Sequence, residues 1–112
     1  MDFSWTPHRF SGGALALDVA NSVILRFSPE KSLDRFAVPA QIDSFAAAAS
    51  ALSGDQKHAA ELVPTEARNR PLLLSLREAT DCYFRMAVSG IDDRLLLARL
   101  LETAAAVLRH AP

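Results

Sequence analysis

The sequence predicts an all-α protein, a compact bundle of four or five helices with room for a short amino-terminal strand. Three observations carry that expectation. Apolar residues recur at three- and four-residue spacing along three separate stretches, the period of one face of a helix. Prolines and glycines stand at the ends of those stretches, where they start or stop helices. The clusters "FAAAAS" and "ETAAAV" add strong helix formers whose small side chains let helices approach closely. With 112 residues, the chain is long enough for one domain with a modest core, spanning 1–112.

Element by element, residues 1–13 contain Pro7, Gly12 and Gly13 and read as a lead-in, with a short strand placed near Phe10. A first helix is expected over 14–27, where Leu17, Val19, Ala20, Val23 and Ile24 are apolar and Ser28-Pro29 forms the stop. The stretch "SPEKSLDRFAVP" is a polar connection anchored by Leu33, Phe36 and Val38. Pro39 suits a first helical position, and Ile42, Phe45, Ala46, Ala49 and Leu52 make a one-sided stripe that ends near Ser53-Gly54. "QKHAAELV" has the composition for a turn or two of helix. Pro64-Thr65-Glu66 opens a further segment that Pro71 must kink or restart. Beyond Pro71, Leu72, Leu76, Ala79, Tyr83 and Met86 share a face, Gly90 terminates the helix, and Asp92 caps a last one carrying Leu96, Leu97, Leu100, Ala104 and Leu108.

Composition narrows the function classes. Half the residues are hydrophobic and the formal net charge is −1, without the Lys/Arg excess of a nucleic-acid module. Arg68, Arg70, Arg77 and Arg85 are interleaved with Glu66, Glu78 and Asp81 and read as a mixed-charge solvated surface. The single cysteine, Cys82, excludes an internal disulfide and a cysteine-based zinc site within the chain, and its apolar helix predicts a buried, inert thiol. His8, His58 and His110 lack metal-ligand spacing, so no metal is expected. No basic and apolar leader opens the chain and no apolar run reaches the ~18 residues of a membrane span, so a cytoplasmic location and no membrane partner are expected. Trp5 and Phe3 are expected to pack the amino-terminal arm onto the bundle.

The most informative stretch is "GGALALDVANS". On a helix, Asp18, Asn21 and Ser22 share a face, because residues three and four apart are neighbours. Buried there, each polar group needs a partner. The candidate lies in "LLLSLREATDCYF", where Arg77 and Glu78 interrupt an apolar helix and the planar Arg77 fork suits the Asp18 carboxylate. Asp18, Asn21, Ser22, Arg77 and Glu78 are therefore the candidate site residues, as a structural polar network or as the lining of a ligand cavity.

The same residues carry a resemblance. "GGALALDVANS" resembles the Gly-x-Leu-x-Leu-Asp-Phe-x-Asn-Thr signature that opens the ABATE domain, the amino-terminal part of bacterial CGNR zinc-finger proteins described as stress-induced transcription regulators. "FAVPAQIDSF" is similar to that family's Leu-Ala-x-Pro-x-x-Leu-x-x-Trp segment, with Ile42 and Phe45 at the leucine and tryptophan, and "LREAT" matches its Leu-Arg-Glu-Ala segment. Val19 and Ser22 depart mildly from the signature, where phenylalanine and threonine are usual. The resemblance implies a stress-response regulatory domain followed by a zinc module containing Cys-Gly-Asn-Arg that contacts DNA. One cysteine cannot build that module, so zinc and direct DNA binding are not expected of this chain, which is then either a fragment or a naturally shortened protein that keeps only the regulatory half, the abrupt end at "VLRHAP" slightly favouring truncation.

The expected function is a non-enzymatic regulatory domain that senses a small-molecule ligand or mediates assembly. The alternative is a structural homodimerisation module without a ligand. "DDRLLLARLLETAAAVL" favours a homodimer, since Leu95, Leu96 and Leu97 in succession exceed what one buried stripe needs. No acid–base pair or nucleophile with a positioned partner is evident, so catalytic residues are not expected.

Overall fold

A computed structural model of the protein describes residues 3–10, 12–59 and 65–110. These are mostly helical, with five α-helices and one two-strand sheet among the described residues. The chain divides into two compact units, Met1–Pro64 and Thr65–Pro112.

The first unit opens with a 3-10 turn, Pro7–Phe10, where a strand was expected. Pro7 fixes the backbone torsion at the first position of the turn, and Arg9 N donates to Thr6 O at 3.0 Å. Helix α1, Leu15–Ala20, is six residues long, far shorter than the expected 14–27. The chain turns at Asn21 and Ser22, and the β-branched pair Val23–Ile24 becomes strand β1, antiparallel to β2, Leu33–Asp34, with Val23 opposite Asp34 and Ile24 opposite Leu33. One contact and one backbone torsion fix this exit. Arg26 Nη2 reaches back to the Ala20 carbonyl at 2.8 Å, satisfying one of the oxygens a helix end leaves open, and Leu25 turns the chain at φ 50°, the left-handed region.

Asp34 then caps a 3-10 turn, Arg35–Ala37, by accepting from Phe36 N at 2.8 Å. Helix α2, Pro39–Leu52, follows the sequence expectation: Pro39 occupies the first turn, and Ile42, Phe45, Ala46 and Ala49 are buried. Its Phe45 ring lies 5.1 Å from Trp5, 5.5 Å from Phe10 and 5.4 Å from Phe36, and Trp5 Nε1 donates to Gln41 O at 3.2 Å. Centroid separations of this size favour aromatic edge and offset packing, so the amino-terminal arm is fastened to α2 as expected. Helix α3, Gln56–Ala59, is a single turn. The rest of "QKHAAELV" and the opening Pro64 lie outside the described residues.

The second unit is an antiparallel helical hairpin. A 3-10 turn, Ala67–Asn69, leads into α4, Arg70–Val88, and Pro71 sits in the first turn, where its missing N–H costs nothing; it starts the helix rather than kinking it. Gly90, at φ 82°, ends α4 in a Schellman arrangement: Ile91 N donates to Met86 O at 3.0 Å and Gly90 N to Ala87 O at 2.9 Å. Helix α5, Arg94–Arg109, is capped by Asp93, whose Oδ1 accepts from Leu95 N and Leu96 N at 3.0 and 3.1 Å. The expected cap, Asp92, instead accepts from the Tyr83 hydroxyl at 3.3 Å. Asn69 Nδ2 donates to His110 O at 3.1 Å and ties the open ends of the hairpin together. Cys82 is exposed, contrary to expectation, because it falls on the outer side of α4 while Ala79 and Thr80 are buried.

Candidate functional site: a buried carboxylate hub

Among the described residues, Asp18 and Ser22 are the largest side chains to be essentially sealed from solvent, at 1% and 0% exposure. A carboxylate buried this deeply survives only with hydrogen bonds to its charged form. Asp18 has them within its own unit. Gly12 N donates to Oδ1 at 3.0 Å, and Ser53 Oγ donates to Oδ2 at 2.9 Å. Ser53 in turn accepts from Asp55 N at 3.1 Å.

The connection then returns to its start. Ala14, the residue before α1, offers no side-chain cap, and Asp55 Oδ2 caps the helix from 40 positions away by accepting from Leu15 N at 2.8 Å. His58 Nδ1 lies 2.9 Å from the other Asp55 oxygen. The Leu15 backbone bond first, and His58 second, hold the Asp55 carboxyl below its ordinary pKa. The start of α1 is thus fastened twice to the Ser53-Gly54-Asp55 link between α2 and α3, once through Asp18 and once through Leu15. Gly12 is a requirement of this geometry. A Cβ there would lie 2.9 Å from Asp18 Oδ1 and 2.9 Å from Leu17 Cβ, closer than carbon packing allows.

The other candidate residues separate by position. Ser22 is buried beyond the end of α1; its N–H bonds Val19 O at 3.1 Å and its carbonyl accepts from Arg35 N at 2.9 Å, joining the turn to the Asp34-capped segment. Asn21 is exposed and ends α1, donating its N–H to Leu17 O at 2.9 Å. Because the helix stops at Ala20, the shared face of Asp18, Asn21 and Ser22 does not extend past it. Arg77 is buried on α4 in the second unit, with Nε donating to Glu78 Oε2 at 3.0 Å. Glu78 is part-exposed.

Sequence reasoning missed Gly12, Ser53 and Asp55. "SGD" after a helix reads as a local turn, and nothing local announces bonds that span 35 and 40 residues. Elsewhere the arginines meet acids as the charge pattern suggests: Arg68 with Glu66 at 2.8 Å and Arg85 with Asp81 at 2.8 Å. Asp81 raises the Arg85 pKa, while burial, with Asp92 adding, raises that of the Tyr83 phenol.

No group of three or more metal-ligating side chains occurs among the described residues, and none of their helices is long and apolar enough to cross a membrane. No family model, no curated protein and no solved structure matches the chain.

Proposed function

We propose that this chain is a non-enzymatic regulatory module that acts by self-association through its helical hairpin. The observation that carries the reading is the apolar surface of α4 and α5. Phe84, Val88, Ile91 and Leu95, all exposed, belong to the closed end of the hairpin, with Val88 at 88% and Leu95 at 83% exposure, and Leu101 and Leu108 share a second exposed strip seven residues apart on α5. Helix α5 has no buried residue. A two-helix hairpin is too small to bury its own apolar surface, and fully covering a side chain of this size is worth ~1.5–3 kcal/mol. A second copy of the same near-neutral surface is the occupant that requires no opposite charge.

The resemblance to the ABATE domain extends this reading to a bundle of helices in a bacterial, cytoplasmic, stress-responsive transcription regulator whose zinc module, carried elsewhere, contacts DNA. Within that reading Asp18 is the polar lock of the first unit and not a ligand contact, supported by the Gly12 and Ser53 donors on its two oxygens. The rival reading, ligand sensing, rests on Arg77 with Glu78.

Native mass spectrometry of the full chain tests both parts. The proposal expects twice the 12.1 kDa chain mass under gentle conditions and no added mass. A co-purified small molecule lost on Arg77→Met would replace assembly by ligand sensing, and a ligand-free monomer at every concentration would overturn the proposal.

A further inference from the structure

Two arginines of the first unit converge on one ring. The Arg9 guanidinium carbon lies 4.6 Å from the Phe3 ring centre and that of Arg35 lies 4.2 Å from it. Stacking on a ring uses the flat face of a guanidinium and leaves its N–H edge free to bond. In each residue the Nε atom is buried and has no hydrogen-bond partner, and among the described residues neither arginine forms a salt bridge. Asp34, the acid that precedes Arg35 in sequence, turns Oδ1 to Phe36 N.

Two like charges are thus held against one ring, each with an Nε–H that has no acceptor, an arrangement that costs free energy unless an anion completes it. Burial, and then Arg9, lower the Arg35 pKa, as expected of a crowded cation. The scaffold around the pair is firm. Phe3 packs edge-on against Trp5 at 4.8 Å, Trp5 is bonded to Gln41 O, and Arg35 N is bonded to Ser22 O at 2.9 Å.

We propose that Arg9 and Arg35, both packed against Phe3, form a binding site for a phosphoryl dianion. Two fixed positive charges call for two negative ones, and the planar edges of two guanidinia match the tetrahedral oxygens of a phosphate better than a single carboxylate does. The site is independent of the hairpin surface and lies wholly in the first unit.

Isothermal titration of the full chain with inorganic phosphate, at constant ionic strength maintained with chloride, tests the site. The expected result is saturable one-to-one binding, at least tenfold tighter than acetate, weakened at least tenfold by Arg9→Gln and by Arg35→Gln but unchanged by Arg68→Gln. Circular dichroism establishes that each variant is folded; should Arg35→Gln unfold the chain, Arg9→Gln and Arg35→Lys carry the comparison, with the lysine expected to bind more weakly because it lacks the fork. Absence of saturable binding, equal affinity for acetate, or wild-type affinity in Arg9→Gln would overturn the proposal.

Discussion

Replacing Asp18 by alanine removes the acceptor for two donors at once, one part-buried and one buried. Gly12 N–H loses Oδ1 and Ser53 O–H loses Oδ2, bonds of 3.0 and 2.9 Å to the carboxylate oxygens. Hydrogen bonds to a charged partner are each worth about 1.5–3 kcal/mol, and a donor left buried without an acceptor costs about as much. Release of the carboxylate from its desolvated position returns part of this, so a loss of about 3–4 kcal/mol is expected for Asp18→Ala. Ser53→Ala breaks one of the two bonds and also deprives Asp55 N of its acceptor, for about 2 kcal/mol. Because the two substitutions share a bond, their effects should fall short of additivity by about 1–2 kcal/mol. Urea unfolding followed by far-ultraviolet circular dichroism measures all three quantities. Against a total stability of about 5–15 kcal/mol, the single losses are large enough to resolve. An Asp18→Ala cost below about 0.5 kcal/mol, or full additivity with Ser53→Ala, would refute the view that this carboxylate locks α1 to the α2–α3 link.

Other perturbations have equally definite outcomes. Gly12→Ala should destabilise by about 1–3 kcal/mol in the same unfolding assay, since its Cβ would meet Asp18 Oδ1 and Leu17 Cβ at 2.9 Å and the latter cannot swing away. Asp93→Ala should cost about 1 kcal/mol and Asp92→Ala less than half of that, because only Asp93 accepts from the first N–H groups of α5. Leu25→Asn should be neutral or stabilising by up to about 1 kcal/mol, since asparagine tolerates φ 50° better than leucine at this exposed position. For Asp55 the folded-state pKa is depressed, so its contribution is complete above the ordinary carboxylate pKa and is lost as the pH falls through the lower folded value. Acid titration of stability should therefore show a falling limb below the ordinary carboxylate range, and Asp55→Asn should flatten it; an unchanged limb would remove Asp55 from the account.

What was legible in the sequence follows the range over which each signal acts. Helix α2 announces itself through a stripe at three- and four-residue spacing that is buried as expected, and the two hairpin helices through the same apolar period, although of the α4 stripe only Ala79 is buried and α5 buries no residue; Pro39, Pro71 and Gly90 act on their own backbone. The expected first helix is longer than the observed one because Val23 and Ile24 are apolar in either structure; their pairing with Asp34 and Leu33, eleven and nine residues away, turns an apparent helical run into a strand. The α5 cap was displaced by one residue, since adjacent aspartates offer the same chemistry and only the backbone decides which one faces the N–H groups. Asp18 was legible as a buried acid that needs partners, but the identity of Gly12 and Ser53 was not, because a neutral hydroxyl and a backbone amide leave no charge pattern to match. Cys82 occupies an apolar stretch, yet one helical step places it outward.

The hairpin carries the functional claim, and sedimentation equilibrium of the full chain alongside Val88→Glu and Leu95→Glu tests it most directly. The account predicts a reversible monomer–dimer equilibrium for the wild type, shifted at least tenfold toward monomer by either glutamate with helicity retained. A wild-type chain that stays at 12.1 kDa over the whole concentration range, or variants that dimerise as strongly as the wild type, would contradict it.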